Sequence, residues 1–114
     1  MTDMDRKIAD AIARAKAMTA AERAAEEARQ TADITHRIIE SINQAMASYD
    51  VPIGNAIGPA LVAAEAKWLA ALNPDDRRKA KRSMDAMRPR FLVEAIRNTP
   101  ISKVIKVGVA GFDA

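Results

Sequence analysis

The residues of this chain best suited to chemistry are its single histidine and two nearby acids. Asp33, His36 and Glu40 are separated by three and four residues, so a helix would place all three on one face. A histidine beside a carboxylate can act as a general base or bind a metal ion. A helical di-metal site needs several more inward-facing carboxylates, and an exposed group of ion-pairing side chains explains the same spacing. We therefore predict no catalytic residue, no metal site and no cofactor here.

No other catalytic signature occurs in the sequence. It contains no phosphate-binding Walker loop, dinucleotide fingerprint, zinc-ligand spacing or nucleophile elbow. It also contains no cysteine, which excludes disulfides, thiolate-bound metals and a cysteine nucleophile. We predict that the protein is not an enzyme and has no small-molecule substrate.

A strongly basic stretch, NPDDRRKAKRSMDAMRPR at residues 73–90, is the second group of interest. As a helix it would place Ala80, Met84, Met87 and Phe91 within about 60° of one another, with the charges outside this apolar stripe. Like-charged pairs four residues apart cost a few tenths of a kcal/mol each, and an acidic partner would explain them. The predicted basic patch consists of Arg77, Arg78, Lys81, Arg82, Arg88 and Arg90.

The partner of this basic patch is either an acidic protein surface or a nucleic-acid backbone. Phosphate binding needs positive charges in a row, which the stretch supplies. Base readout would need a helix–turn–helix, and base stacking would need aromatic residues among the basic ones; the sequence has neither. Contact with nucleic acid would therefore be blind to sequence.

The charge is distributed unevenly along the chain. Residues 1–50 carry seven basic and nine acidic side chains, a net charge of −2, and residues 51–72 balance. Residues 73–114 carry ten basic and five acidic side chains, a net charge of +5, which brings the total to +3. This asymmetry favours an acidic partner for the last third of the chain.

Composition predicts an all-α protein. The chain has 114 residues, which suits one domain, and it is rich in alanine and other strong helix formers, with only four glycines. We predict a compact bundle of about five to six helices in a single domain, 1–114. In this domain 1–50 is a long-helix arm region, and 51–114 holds the core helices and the basic last third.

The arm region contains neither glycine nor proline. Its TAAE motif, Thr19–Glu22, is a capping box, in which threonine and glutamate satisfy each other's backbone amides at the start of a helix. The motif predicts a break near 18–19 and one long helix over about 20–49. A single unbroken helix over most of 1–50 is the alternative.

The long helix carries a heptad seam, an apolar residue alternately every four and every three positions. Its second half presents isoleucine, methionine and tyrosine and is predicted to be core. Its first half presents alanine, which allows close approach by another helix. Either the first helix folded back or another chain would cover it. The predicted protein interface consists of Ala21, Ala25, Ala28 and Ala32.

Proline and glycine divide the remaining sequence. Residues 50–58 form a loop that begins where Pro52 ends the long helix. A central helix follows over about 59–72, and Asn73 with Pro74 begins the basic helix. Pro89 is expected to break or kink that helix, whose apolar face continues to about 97. Residues 100–107 are either a last short helix or a strand.

The sequence has no apolar stretch long enough for a membrane span and no secretory leader. With the lack of cysteine, this leads us to expect a cytoplasmic protein. The leading functional hypothesis is a helical module for protein–protein interaction or self-association, either a small subunit of a larger complex or an inhibitor that docks on one. The alternative is a nucleic-acid-binding accessory protein that uses 77–90 without sequence specificity.

Overall fold

The structure, a computed structural model, describes residues 2–100, and within that range it is all-α, as predicted. Four α-helices follow one another along the chain: α1 (Asp3–Ala17), α2 (Ala20–Ser48), α3 (Ile57–Ala70) and α4 (Pro74–Asn98). A short 3-10 helix, Gly54–Ala56, precedes α3. By contacts the chain divides into two units, Met1–Ala47 and Ser48–Ala114.

The predicted number of five to six helices is wrong, since the described residues form four. The difference comes from Pro89, which lies inside α4 and does not end it. A proline removes one backbone hydrogen bond and crowds the carbonyl four residues earlier, but α4 has nine further residues beyond Pro89 in which to continue its hydrogen bonding. The last predicted element, at 100–107, lies almost wholly outside the described residues.

The break between α1 and α2 is confirmed, and the alternative of one unbroken helix is wrong. The Glu22 amide donates to the Thr19 hydroxyl at 3.1 Å, and the Thr19 amide donates to the Glu22 carboxylate at 3.3 Å. Arg23 adds a bond across the junction, from its guanidinium to the Ala15 carbonyl at 3.1 Å. These local bonds fix the end of α1 and the start of α2.

The first unit is two helices that meet only near their junction. Residue contacts between α1 and α2 are too few for a packed helix pair, so α1 does not fold back along α2. Because α2 is one uninterrupted helix of 29 residues, it is about 43 Å long at 1.5 Å per residue. Its predicted extent, 20–49, is correct to within one residue.

The second unit contains α3 and α4, which contact each other. Asn73 caps α4, its side-chain oxygen accepting from the Asp76 amide at 2.9 Å, and Pro74 occupies the first helical position. This start was predicted from the sequence. The preceding helix begins at Ile57, two residues earlier than predicted, so Pro59 lies in its first turn.

No side chain in residues 2–100 is buried, so the packed core expected in the second half of α2 and in the helix at 59–72 does not form within this range. Large apolar side chains remain about half exposed or more, among them Ile8, Ile39, Trp68 and Phe91. A helix cannot bury its own apolar stripe and needs another element against it. The described part of the chain provides few such contacts.

Candidate interaction surfaces

The first candidate surface is the apolar face of α2. All four alanines of the predicted interface are exposed. The same face continues through isoleucines, and Ile38 and Ile39 retain 45% and 51% of their accessible surface. We define the α2 apolar face as Ala21, Ala25, Ala28, Ala32, Thr35, Ile38, Ile39, Ile42 and Met46.

Polar atoms on or beside this face are satisfied within the helix itself. The Thr35 hydroxyl donates to the Thr31 carbonyl at 2.7 Å, and the Thr31 hydroxyl donates to the Glu27 carbonyl at 2.7 Å. Covering the α2 apolar face would therefore leave neither hydroxyl without a hydrogen-bond partner, and the desolvation cost would be small.

Ion pairs lie along one edge of the α2 apolar face and on the side of α2 beyond that edge. Arg29 donates from Nε to the Glu26 carboxylate at 3.0 and 3.1 Å, and Gln30 donates to the same carboxylate at 3.0 Å. The hydrogen bonds from Arg29, followed by that from Gln30, lower the pKa of Glu26 from its usual 4.5 to about 2. The helix thus separates a charged side, with its own internal pairs, from an apolar side.

The residues around the histidine do not form a metal site. Asp33 accepts a hydrogen bond from Arg37 Nε at 3.0 Å and is engaged in that ion pair. Among residues 2–100, no three histidine, cysteine or acidic side chains lie close enough together to hold a metal ion.

Arg77, counted in the predicted basic patch, is a helix cap. Its guanidinium donates to the carbonyls of Leu69 at 3.0 Å, Ala70 at 3.2 Å and Leu72 at 3.0 Å. The Leu69 and Ala70 carbonyls lie at the end of α3, where backbone oxygens have no partner inside the helix, and Leu72 lies in the turn that follows. The positive charge also faces the negative end of the α3 dipole. Arg77 therefore holds the turn between α3 and α4.

Three further residues of the basic patch have acidic partners. Arg78 pairs with Asp75, Lys81 donates to Asp85 at 2.9 Å, and Arg88 donates to the other Asp85 oxygen at 2.7 Å. The hydrogen bonds from Lys81, followed by that from Arg88, hold the pKa of Asp85 below its usual value. The patch is thus much less positive locally than its sequence indicates.

Arg88 also pairs with Glu65 of α3, a contact that sequence reasoning missed. Asp85 lies three or four residues from Lys81 and Arg88, so its role could have been found from helical spacing. Glu65 is 23 residues away from Arg88, and no local pattern connects them. This pair joins α3 to α4 beside Pro89.

Two residues of the basic patch have no acidic partner among residues 2–100, Arg82 and Arg90. Arg90 lies over the Phe91 ring, 5.7 Å from its centroid. Arg82 faces an open depression that it shares with Arg78, Lys81 and Asp85. The structure therefore divides the predicted patch into one helix cap, three paired residues and two unpaired ones.

A second depression, of about 360 Å³, lies between α3 and α4. It is lined by Val62, Glu65, Ala66, Leu69, Lys81, Asp85 and Arg88. Its charged groups are the ones already paired with one another. Each of its charged groups thus already has a partner of opposite charge.

The chain matches no protein-family model, no curated protein and no solved structure. Within residues 2–100, none of the helices has both the length and the apolar character that crossing a membrane requires. The α2 apolar face is a continuous apolar surface of a single helix, and α1 does not pack along it.

Proposed function

We propose that this protein is a non-enzymatic module for protein–protein interaction or self-association, and that it docks through the α2 apolar face. One observation carries the proposal: a 29-residue helix displays a continuous apolar face that α1 does not cover. Monomeric proteins rarely expose large contiguous apolar surfaces, and such surfaces commonly mark contact sites. A small subunit of a larger complex, or an inhibitor that docks on one, has this character.

The free energy available from burying the isoleucine side chains of this face supports a docking role. Full burial of an isoleucine side chain contributes about 1.5–3 kcal/mol. Ile38 and Ile39 are each about half exposed, so covering them would contribute about 1.5–3 kcal/mol in total. The alanines contribute less area, but they let a second helix approach closely, which increases dispersion contacts along the whole face.

The charged side of α2 supports the same function. Its ion pairs, Glu26 with Arg29 and Asp33 with Arg37, lie at helical spacings of three and four residues. Such exposed pairs contribute little to stability. They keep the outer side of the helix solvated while the other side remains free for a partner.

Contact with nucleic acid is our second candidate, favoured by the two unpaired arginines, Arg82 and Arg90. Two phosphate contacts would give a log–log salt slope of about −2 with duplex DNA, whereas all six residues of the basic patch would give about −5. A fluorescence-anisotropy titration over a range of salt concentrations distinguishes these values. A slope near −5 would mean that phosphate displaces the ion pairs of Arg78, Lys81 and Arg88.

The proposed function can be tested by photo-crosslinking in the cells that make the protein. A benzophenone amino acid is introduced in place of Ile39, on the α2 apolar face, and in a matched variant in place of Gln44, on the opposite side. We expect ultraviolet light to attach a protein chain to the Ile39 variant and not to the Gln44 variant. Mass spectrometry of the adduct then identifies the partner. Equal adduct yields, or no protein adduct from Ile39, would contradict the proposal.

A further inference from the structure

Resting on this proposed function, we propose that the occupant of the α2 apolar face is a second copy of the same chain, paired with the first in antiparallel orientation. The first reason is the size gradient along α2. The face is alanine from 21 to 32 and large, with Ile39, Ile42 and Met46, from 39 to 46. A face that is small at one end and large at the other is self-complementary only when two copies run in opposite directions.

The sequence numbers show how well the two copies would match. In an antiparallel coiled coil, one helix places its a residues level with d residues of the other. The heptad of α2 allows one register in which facing residue numbers add up to 67, so Ala21 faces Met46 of the second copy and Ala25 faces Ile42. Ala28 then faces Ile39 of the second copy, and Ala32 faces Thr35. Each of the outer layers combines one alanine with one large residue.

A parallel pair would be poorly matched along its length. Alanine would face alanine in the first half and isoleucine or methionine would face its own kind in the second half. Packed helices lie about 8–10 Å apart, depending on the side chains at the contact. Two parallel copies would therefore be close at one end and separated at the other, whereas the antiparallel register gives similar spacing throughout.

The edges of the face favour the same orientation. On one edge, the g positions of the heptad are uncharged: Ala24, Thr31, Ile38 and Ala45. On the other edge, the e positions are polar or charged: Glu22, Arg29, His36 and Asn43. An antiparallel pair places g beside g and e beside e, so the apolar edges meet each other and the polar edges meet each other. A parallel pair would place every polar e residue against an uncharged g residue.

Acidic residues next to the e-position edge would cause only weak charge repulsion between the two copies. Glu26 is already engaged by Arg29, and Asp33 by Arg37. In the proposed register, Arg29 of one copy lies at the same height along the helix axis as Ile38 of the second copy. Glu40 of the second copy is two residues from Ile38, which is about 3 Å along the axis. The one cation on this edge thus comes near a carboxylate of the other copy.

The contact area sets the expected strength. Overlap of residues 21–46 in both copies spans about 39 Å and engages about sixteen residues per chain at a, d, e and g positions. Stable interfaces commonly use about 20–30 residues per partner. We therefore expect reversible pairing with a Kd on the order of 1–100 µM.

Disulfide trapping tests the orientation directly, because the full chain has no cysteine of its own. Two single-cysteine variants, Ala25→Cys and Ile42→Cys, are mixed in equal amounts in a thiol–disulfide buffer. We expect the mixed disulfide to exceed either like-with-like dimer at least tenfold. In the antiparallel register the two residues at 25 are about 25 Å apart along the helices, far beyond the 4.4–6.8 Å between Cα atoms that a disulfide spans.

A second pair, Ala28→Cys with Ile39→Cys, repeats the test if the first pair disturbs the helix, and Gln44→Cys is the control that should not crosslink. Like-with-like dimers at 25 and at 42 would indicate parallel pairing and overturn the proposal. Absence of every crosslink would overturn self-pairing altogether. In that case, a photo-crosslink from Ile39 to a different protein would leave the proposed function standing, whereas no photo-crosslink would contradict both.

Discussion

At the scale of single residues, several charged side chains of the described structure connect neighbouring elements through hydrogen bonds and ion pairs. Arg77 binds three carbonyls at the end of α3, and Arg88 joins α4 to α3 through Glu65. The same residues look in sequence like part of a uniform basic patch. Helical spacing identifies partners within one helix, but it does not show that Arg77 reaches backwards across a turn or that Glu65 is near Arg88.

Substitution of Arg77 should reduce stability more than substitution of its neighbour. Arg77→Ala removes a charged donor from three backbone carbonyls, so we expect the free energy of unfolding to fall by about 1 kcal/mol. Arg78→Ala removes one exposed ion pair and should cost less than about 0.5 kcal/mol. Urea unfolding followed by circular dichroism measures both variants. If both variants lose the same free energy of unfolding, the contacts of Arg77 with the backbone carbonyls do not add to stability beyond an exposed ion pair, which would contradict this prediction.

The carboxyl group of Glu26 should titrate at about 2, because Arg29 donates hydrogen bonds to it. Its pKa is lowered by folding, so its contribution to stability is present above the usual pKa of 4.5 and is lost as the pH falls through about 2. Carboxyl carbon NMR measures this value. Arg29→Gln should raise the pKa of Glu26 towards 4.5, whereas Arg37→Gln should leave it unchanged. An unchanged Glu26 titration in Arg29→Gln would refute the assigned cause.

At the scale of secondary-structure elements, the starts of α2 and α4 were predictable from their caps, and the end of α4 was not. Thr19 and Asn73 form caps with residues three positions away, so a short sequence motif contains all the information. Whether Pro89 ends a helix depends on the residues around it, because the cost of one proline competes with the hydrogen bonding and packing of the residues that follow. Continuation of α4 to Asn98 could not be predicted from the proline alone.

Replacement of Pro89 by alanine should stabilise α4. The variant restores one backbone hydrogen bond and removes the crowding of the proline ring, an effect of about 3 kcal/mol in a helix interior. Greater freedom of the unfolded chain offsets up to about 1 kcal/mol of this, so we expect a net gain of about 2 kcal/mol. The measurement is thermal unfolding followed by circular dichroism at 222 nm.

The matched control is Pro74→Ala, at the first position of α4, where a backbone N–H has no partner within the helix in any case. This variant should change stability by less than about 1 kcal/mol. A Pro89→Ala variant that unfolds at the same temperature as Pro74→Ala would contradict our account of a strained but continuous α4.

At the scale of the whole molecule, the sequence identifies the class and the apolar faces but not how those faces are covered. An all-α chain was predictable because alanine and other helix formers dominate its composition. The expected core in the second half of α2 was read from Ile39, Ile42 and Met46. An apolar stripe along a helix indicates that this face is favourably buried, but it does not show which element or partner buries it. Within residues 2–100 nothing buries it, and the same stripe becomes the proposed contact with a partner.

Sedimentation equilibrium of the full chain tests most directly the claim that the α2 apolar face pairs with a second copy. Over about 1–500 µM, the concentration range set by the expected strength, the apparent mass should rise from 12.4 kDa towards twice that value. Ala28→Glu, which places a charge opposite Ile39, should keep the mass at 12.4 kDa, while Gln44→Glu, with the same charge change on the other side of the helix, should behave as the parent chain. A parent chain that stays at 12.4 kDa throughout, or a Gln44→Glu variant that dissociates as readily as Ala28→Glu, would contradict this account.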